Sequence, residues 1–147
     1  MLDILKGVFA LALLVLLLIA LNTKIVQKNK AIVVERLGKF LKIIDQPGFY
    51  FTIPVVDRVL QTVPLDIQNK EILIDNEFET KKVPLSLKYQ IFDVKLFVYA
   101  ELDSYSKLSE YITQHIQSEQ QLTDENTHLI TEYAESLGIT IIELCVK

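Results

Sequence analysis

Between Gly7 and Thr23 the chain runs GVFALALLVLLLIALNT, 17 consecutive residues without a charge. At 1.5 Å per residue a helix of that length spans roughly 26 Å, close to a hydrocarbon core of about 30 Å. Lys6 and Lys24 flank it and can reach toward headgroups to close the difference. Such a run has no polar face to turn toward water, which argues against a buried helix of a soluble core. A secretory signal would start with a basic stretch, whereas Asp3 offsets Lys6 here. Its apolar core would also be shorter, and Ala20–Leu21–Asn22 offers no clean pair of small residues for a peptidase. The run therefore reads as a retained anchor over residues 1–23, crossing the membrane once as a helix.

Charge is distributed unevenly after it. Residues 24–42 carry Lys24, Lys28, Lys30, Arg36, Lys39 and Lys42 against Glu35 alone, while residues 43–147 hold 17 acidic and 8 basic side chains. A basic collar directly after an apolar helix places the following residues on the cytoplasmic side of the cell membrane. Lys24, Lys28 and Lys30 can lie on anionic headgroups, each worth about 1 kcal/mol close to the surface. The acidic remainder is a poor match for nucleic acid, whose phosphates need clustered basic side chains. The single cysteine, Cys145, excludes an internal disulfide and fits a reducing compartment.

Residues 24–147 are enough for one folded domain. Ala31–Val34 with Leu37 predicts a strand, and Lys39–Ile44 a second one after a turn or bulge at Gly38–Lys39. Gln46–Pro47–Gly48 predicts a turn, followed by the short aromatic strand Phe49–Ile53 and a stop at Pro54. An extended stretch from Asp57 puts Val59, Val63, Leu65 and Ile67 on one face. Val83–Ile91 alternates over nine positions, with Val83, Leu85, Leu87, Tyr89 and Ile91 on one side. Pro84 suits a strand start or an edge strand.

Two helices follow. Ser104 is the expected cap of the first, with Leu108, Tyr111, Ile112, His115 and Ile116 at helical spacing. Thr123 is the expected cap of the second, with Asp124 and Glu125 in its first turn and a stripe of Leu129, Ile130, Tyr133, Ala134 and Leu137. Gly138 terminates it, and Ile139–Val146 returns as a strand. The expected class is α+β: a transmembrane helix, then a mainly antiparallel sheet with two packed helices.

The segments Arg36–Leu37–Gly38–Lys39–Phe40 and Pro47–Gly48–Phe49–Tyr50–Phe51–Thr52–Ile53–Pro54–Val55–Val56–Asp57–Arg58–Val59 resemble the opening of the SPFH or band 7 domain of stomatin, prohibitin and flotillin, in its stomatin-like form. The resemblance implies a membrane-associated scaffold and no catalysis. It also implies assembly with other SPFH-family protomers, contact with the lipid bilayer and, as an alternative role, modulation of a membrane protease. It further implies that the aromatic segment lies near the bilayer, at Phe49, Tyr50, Phe51 and Ile53, although alternation turns about half of these inward. Relatives normally continue into a long charged helix that forms a coiled coil. No heptad run occurs here, which implies a shortened member that joins a longer partner. A segment that in relatives reads like Arg-Ser-Glu-Ile stands as Gln117–Ser118–Glu119–Gln120.

No serine motif, phosphate loop or dinucleotide glycine pattern occurs, and no cofactor is expected. His115 in an apolar stripe points to hydrogen-bonded packing, and His128 and Cys145 lack the companions of a zinc set. Asp57 and Arg58 are expected to form a turn with a local ion pair.

Overall fold

The computed structural model describes residues 2–74, 83–100, 103–116 and 122–146. Its compact units are Met1–Thr62 and Val63–Lys147, and the class is α+β with antiparallel strand pairing. Gln117–Ser118–Glu119–Gln120 lies outside the described residues.

The first unit begins with α1 (Leu2–Leu21), a 20-residue helix about 30 Å long. It starts earlier than the uncharged run, and Asp3 and Lys6, one turn apart in it, pair at 3.8 Å. Its span Asp3–Leu21 has a mean hydropathy of 2.9, with none of it buried, and is long and apolar enough to cross a membrane. Five strands follow: β1 (Thr23–Val26), β2 (Lys30–Arg36), β3 (Lys39–Ile44), β4 (Gly48–Phe51) and β5 (Asp57–Pro64), the last running just past the unit's end. β1 pairs with β4, and β2 lies between β3 and β5. Val26, Ile32, Val34 and Ile44 form the core, with Tyr50 and Val59 packed on it.

The β2–β3 hairpin turns at Leu37–Gly38, one residue earlier than expected. Both residues have positive φ (52° and 76°) and Arg36 faces Lys39 across the turn, the two-residue geometry that matches the twist of its strands. Glycine takes that backbone freely, whereas leucine is strained by it. The extra residue expected near the turn sits deeper, as a bulge between Val34 and Glu35.

At the same end of the unit, the β4–β5 connection is braced by one carboxylate. Asp57 accepts from Arg36 Nε at 2.7 Å and Nη2 at 3.1 Å, and from the Ile53 amide at 2.9 Å. Backbone bonds from Leu37 N to Val56 O (3.0 Å) and from Asp57 N to Ile53 O (2.9 Å) close the same knot. The expected local ion pair with Arg58 is thus replaced by a two-pronged pair with Arg36, whose planar fork matches a carboxylate. The Arg36 guanidinium, with the Ile53 amide, holds the Asp57 carboxyl below the usual carboxylate range.

The second unit contains β6 (Gln68–Ile74), β7 (Val83–Ile91) and β8 (Ile139–Val146) in that order, both pairings antiparallel. Leu85, Leu87, Tyr89 and Ile91 are buried as the alternation predicts. β7 is central rather than an edge, and Pro84 is accommodated as its second residue, opposite Leu73. The expected extension of β5 through Ile67 stops at Pro64, and β6 was not foreseen.

Among the described residues three helices accompany this sheet: α2 (Val94–Tyr99), α3 (Ser104–His115) and α4 (Asp124–Ser136). α2 occupies a stretch with no clear sequence signal. The Asp93 carboxylate starts it by accepting from the Lys95 and Leu96 amides, and Val94 and Phe97 are buried. α3 is capped by Asp103, not Ser104. Asp103 accepts the Ser106 amide at 3.2 Å, while buried Ser104 donates its hydroxyl to Phe97 O at 2.6 Å. Leu108, Ile112 and Ile116 are buried as expected, with Tyr111 and His115 half-buried.

α4 is capped by Thr123 as predicted, and Ile130, Ala134 and Leu137 are buried. Leu129 is exposed, on the side away from the core. Tyr89 stacks on Tyr105 with centroids 5.7 Å apart, and burial pushes its hydroxyl up to about 12. Gly138 has φ +75°, and an added Cβ would strike Asp93 O and crowd Phe97 N. Its carbonyl accepts from Phe92 N and Asp93 N.

Gly138→Ala is therefore expected to cost about 1–3 kcal/mol, through positive φ and the clash with backbone together. Urea unfolding of the detergent-solubilised chain, followed by circular dichroism, measures it. For Asp57 the sign follows from its lowered value. Its bonds stabilise the fold above the unfolded carboxylate value and fade as pH falls through the folded one. Acid unfolding of the full chain is expected to lose part of its steepness in Asp57→Asn, with the midpoint at neutral pH lowered. An acid limb unchanged by that substitution would show that the knot holds nothing.

Candidate membrane-contact surface

The last carbonyls of a helix have no partner within it, and lipid supplies none. In α1 polar side chains just past the end meet them. Asn22 Nδ2 donates to Leu18 O at 2.7 Å and Thr23 Oγ1 to Ile19 O at 2.9 Å. The Asn22 carbonyl in turn accepts twice from Thr52, from its amide at 3.0 Å and its hydroxyl at 2.9 Å. Thr52 is only 5% exposed. The helix end and the aromatic segment are thereby tied together.

Register decides which aromatics face out. Thr23 lies opposite Phe51, Lys24 opposite Tyr50, Ile25 opposite Phe49 and Val26 opposite Gly48. Opposed residues share a face. One face therefore carries Val26 and Tyr50, which pack on the core; the Tyr50 hydroxyl donates to Gln46 O at 3.0 Å. The other carries Ile25, Phe49 and Phe51, all exposed, with Phe49 at 78%. Ile53 continues it beyond the strand and is also exposed. Ile19 on α1, Thr23, Phe49 and Phe51 line one open groove. Pro47–Gly48 starts this strand and Pro54 follows its end, as the turn chemistry predicts.

The residues expected at the bilayer do not all gather in one place. Phe49, Phe51 and Ile53 gather on an exposed apolar face beside the helix end. Lys24 is exposed one residue past Thr23 but lies opposite Tyr50, on the other face of the strand pair. Tyr50 faces inward. Lys28 lies in the turn at the far end of β1, about 13 Å of strand away, and Lys30 opens β2 just after it. There Lys30 Nζ donates to Gln27 Oε1 at 2.7 Å. Ile25 belongs to the apolar face and was missed, because four residues of β1 are too short to show a period.

In the second unit, His115 Nδ1 lies 2.9 Å from Tyr111 O and its ring stacks on Tyr111, which stacks on Tyr133. His128 is exposed on α4, and Cys145 is half-buried in β8 opposite Ser86. Among the described residues no three His, Cys, Asp or Glu side chains gather closely enough to hold a metal ion.

No curated protein matches the chain. The family model of the SPFH domain / Band 7 family matches residues 24–122. The match begins where α1 has ended and takes in β1, the Arg36–Asp57 knot and the exposed aromatic face. This family is membrane-associated, generally of scaffold type and non-enzymatic, and its members typically oligomerise. With two thirds of its length matched in this way, the chain belongs to the SPFH domain / Band 7 family.

Proposed function

We propose that this chain is a single-pass, stomatin-like membrane scaffold. Residues 1–23 form the anchor, and residues 24–147 form the working domain on the cytoplasmic side of the cell membrane. It acts through contacts with the bilayer surface and with other SPFH-family protomers, and carries out no reaction of its own. The observation that supports this reading best is the double hydrogen bond from Thr52 to the Asn22 carbonyl. It keeps an exposed Phe49–Phe51 face next to the end of an apolar helix, where lipid headgroups and upper acyl chains would cover it. Covering such aromatic surface is favourable by roughly 25 cal/mol per Å² removed from water. The basic residues around β1 and β2 supply the charge asymmetry for the orientation.

A reporter enzyme fused after Lys147 is expected to be active only in its cytoplasmic form. External activity would reverse the orientation. Crosslinking in native membranes is expected to capture a second copy or a longer family member. A chain that stays monomeric and partnerless there would sink the scaffold reading. A membrane protease as the captured partner would favour the regulatory-subunit alternative.

A further inference from the structure

Among the described residues, two of the three non-glycine residues with positive φ are also large, apolar and exposed. Leu37 (φ 52°) is 78% exposed and Val55 (φ 70°) is 101% exposed. Positive φ is unfavourable for leucine and is a marked outlier for a β-branched residue such as valine. Asn or Gly would suit either turn better and would also be wetter. A chain folded wholly in water gains nothing from either choice, since neither side chain packs on the core.

The backbone brings these two tips together. Leu37 N donates to Val56 O, and the Arg36–Asp57–Ile53 bonds brace the two turns from behind. β1 leaves the helix, so antiparallel β4 runs back toward it. Thr52 is pinned to the Asn22 carbonyl, and Val55 lies in the turn three residues further on. The amides of Leu37, Ile53 and Asp57 all have partners within this knot, as non-helical backbone needs where water is scarce.

We propose that Leu37 and Val55 form a rigid apolar wedge inserted into the bilayer beside α1, at the depth of the upper acyl chains. The proposal rests on α1 being the membrane anchor, and it adds two insertion points outside the aromatic strand. The occupant is lipid rather than protein because Val55 lies three residues past Thr52, which is bonded to the end of a helix apolar enough to cross a membrane, and Leu37 is bonded to the residue after Val55. Strain and exposure, unfavourable in water, present two side chains to hydrocarbon at fixed positions.

The test uses the full chain with Cys145→Ser, reconstituted in phosphatidylcholine–phosphatidylglycerol vesicles. A nitrobenzoxadiazole label is attached in turn through Leu37→Cys, Val55→Cys, Lys28→Cys or Leu14→Cys. Labels at 37 and 55 are expected to emit at shorter wavelength and to be quenched by lipids carrying a shallow doxyl group. The label at 28 is expected to emit as in water and to be quenched by iodide. If 37 and 55 behave like 28 while 14 is quenched by lipid, the wedge is overturned and the anchor stands. A blue shift that grows with protein-to-lipid ratio and ignores doxyl lipid overturns it too, in favour of contact between chains. A label at 14 that lipid quenchers do not reach refutes the anchor first and the wedge with it.

Discussion

The last carbonyls of an apolar helix have no donor within the helix itself. In this chain that constraint organises the whole first unit. Asn22 and Thr23 turn their side chains back to satisfy Leu18 and Ile19, and the Asn22 carbonyl is handed to Thr52. A helix that ended in glycine and a flexible linker could have let the following strands drift. Here the next residue already belongs to β1, and the chain thirty positions on is bonded to the helix end. The outward direction of Phe49 and Phe51 follows from that attachment and from strand alternation, with no further assumption.

The Arg36–Asp57 knot works at the same end of the unit by different means. One carboxylate collects two guanidinium donors and a backbone amide, so two turns that would otherwise fray become a single braced structure. Its bonds are local in space and distant in sequence. The charged pair thereby shapes the tip that carries the exposed Leu37 and Val55. The second unit is held differently, by an apolar sheet face covered by helices and by Gly138, whose missing Cβ lets the α2 start pass close to the last strand.

Much of the architecture was legible where a physical signal was long or chemically unambiguous. The uncharged run announced α1, nine alternating positions announced β7, and Thr123 with two acidic residues behind it announced α4. Short elements gave no such signal. β1 has four residues, and α2 has six whose apolar spacing also fits a strand; its helical state is decided by Asp93 and by burial of Val94 and Phe97. The α3 cap moved to Asp103 because Ser104 is engaged by the Phe97 carbonyl, a contact that forms only once α2 exists. Asp57 has an arginine next door, yet it pairs with Arg36, 21 positions earlier, because the fold brings the fork within reach.

The sequence by itself determined that an apolar helix stands first, that a basic collar follows it, and that an α+β domain of the SPFH type comes next. Periodicity, charge and turn chemistry are properties of neighbouring residues, so they can be read along the chain. Tertiary structure alone decided which half of the aromatic segment faces out, which lysine stays beside the helix end, and that Leu37 and Val55 share one tip. Those outcomes depend on strand register and on hydrogen bonds between residues tens of positions apart, and no local pattern encodes them.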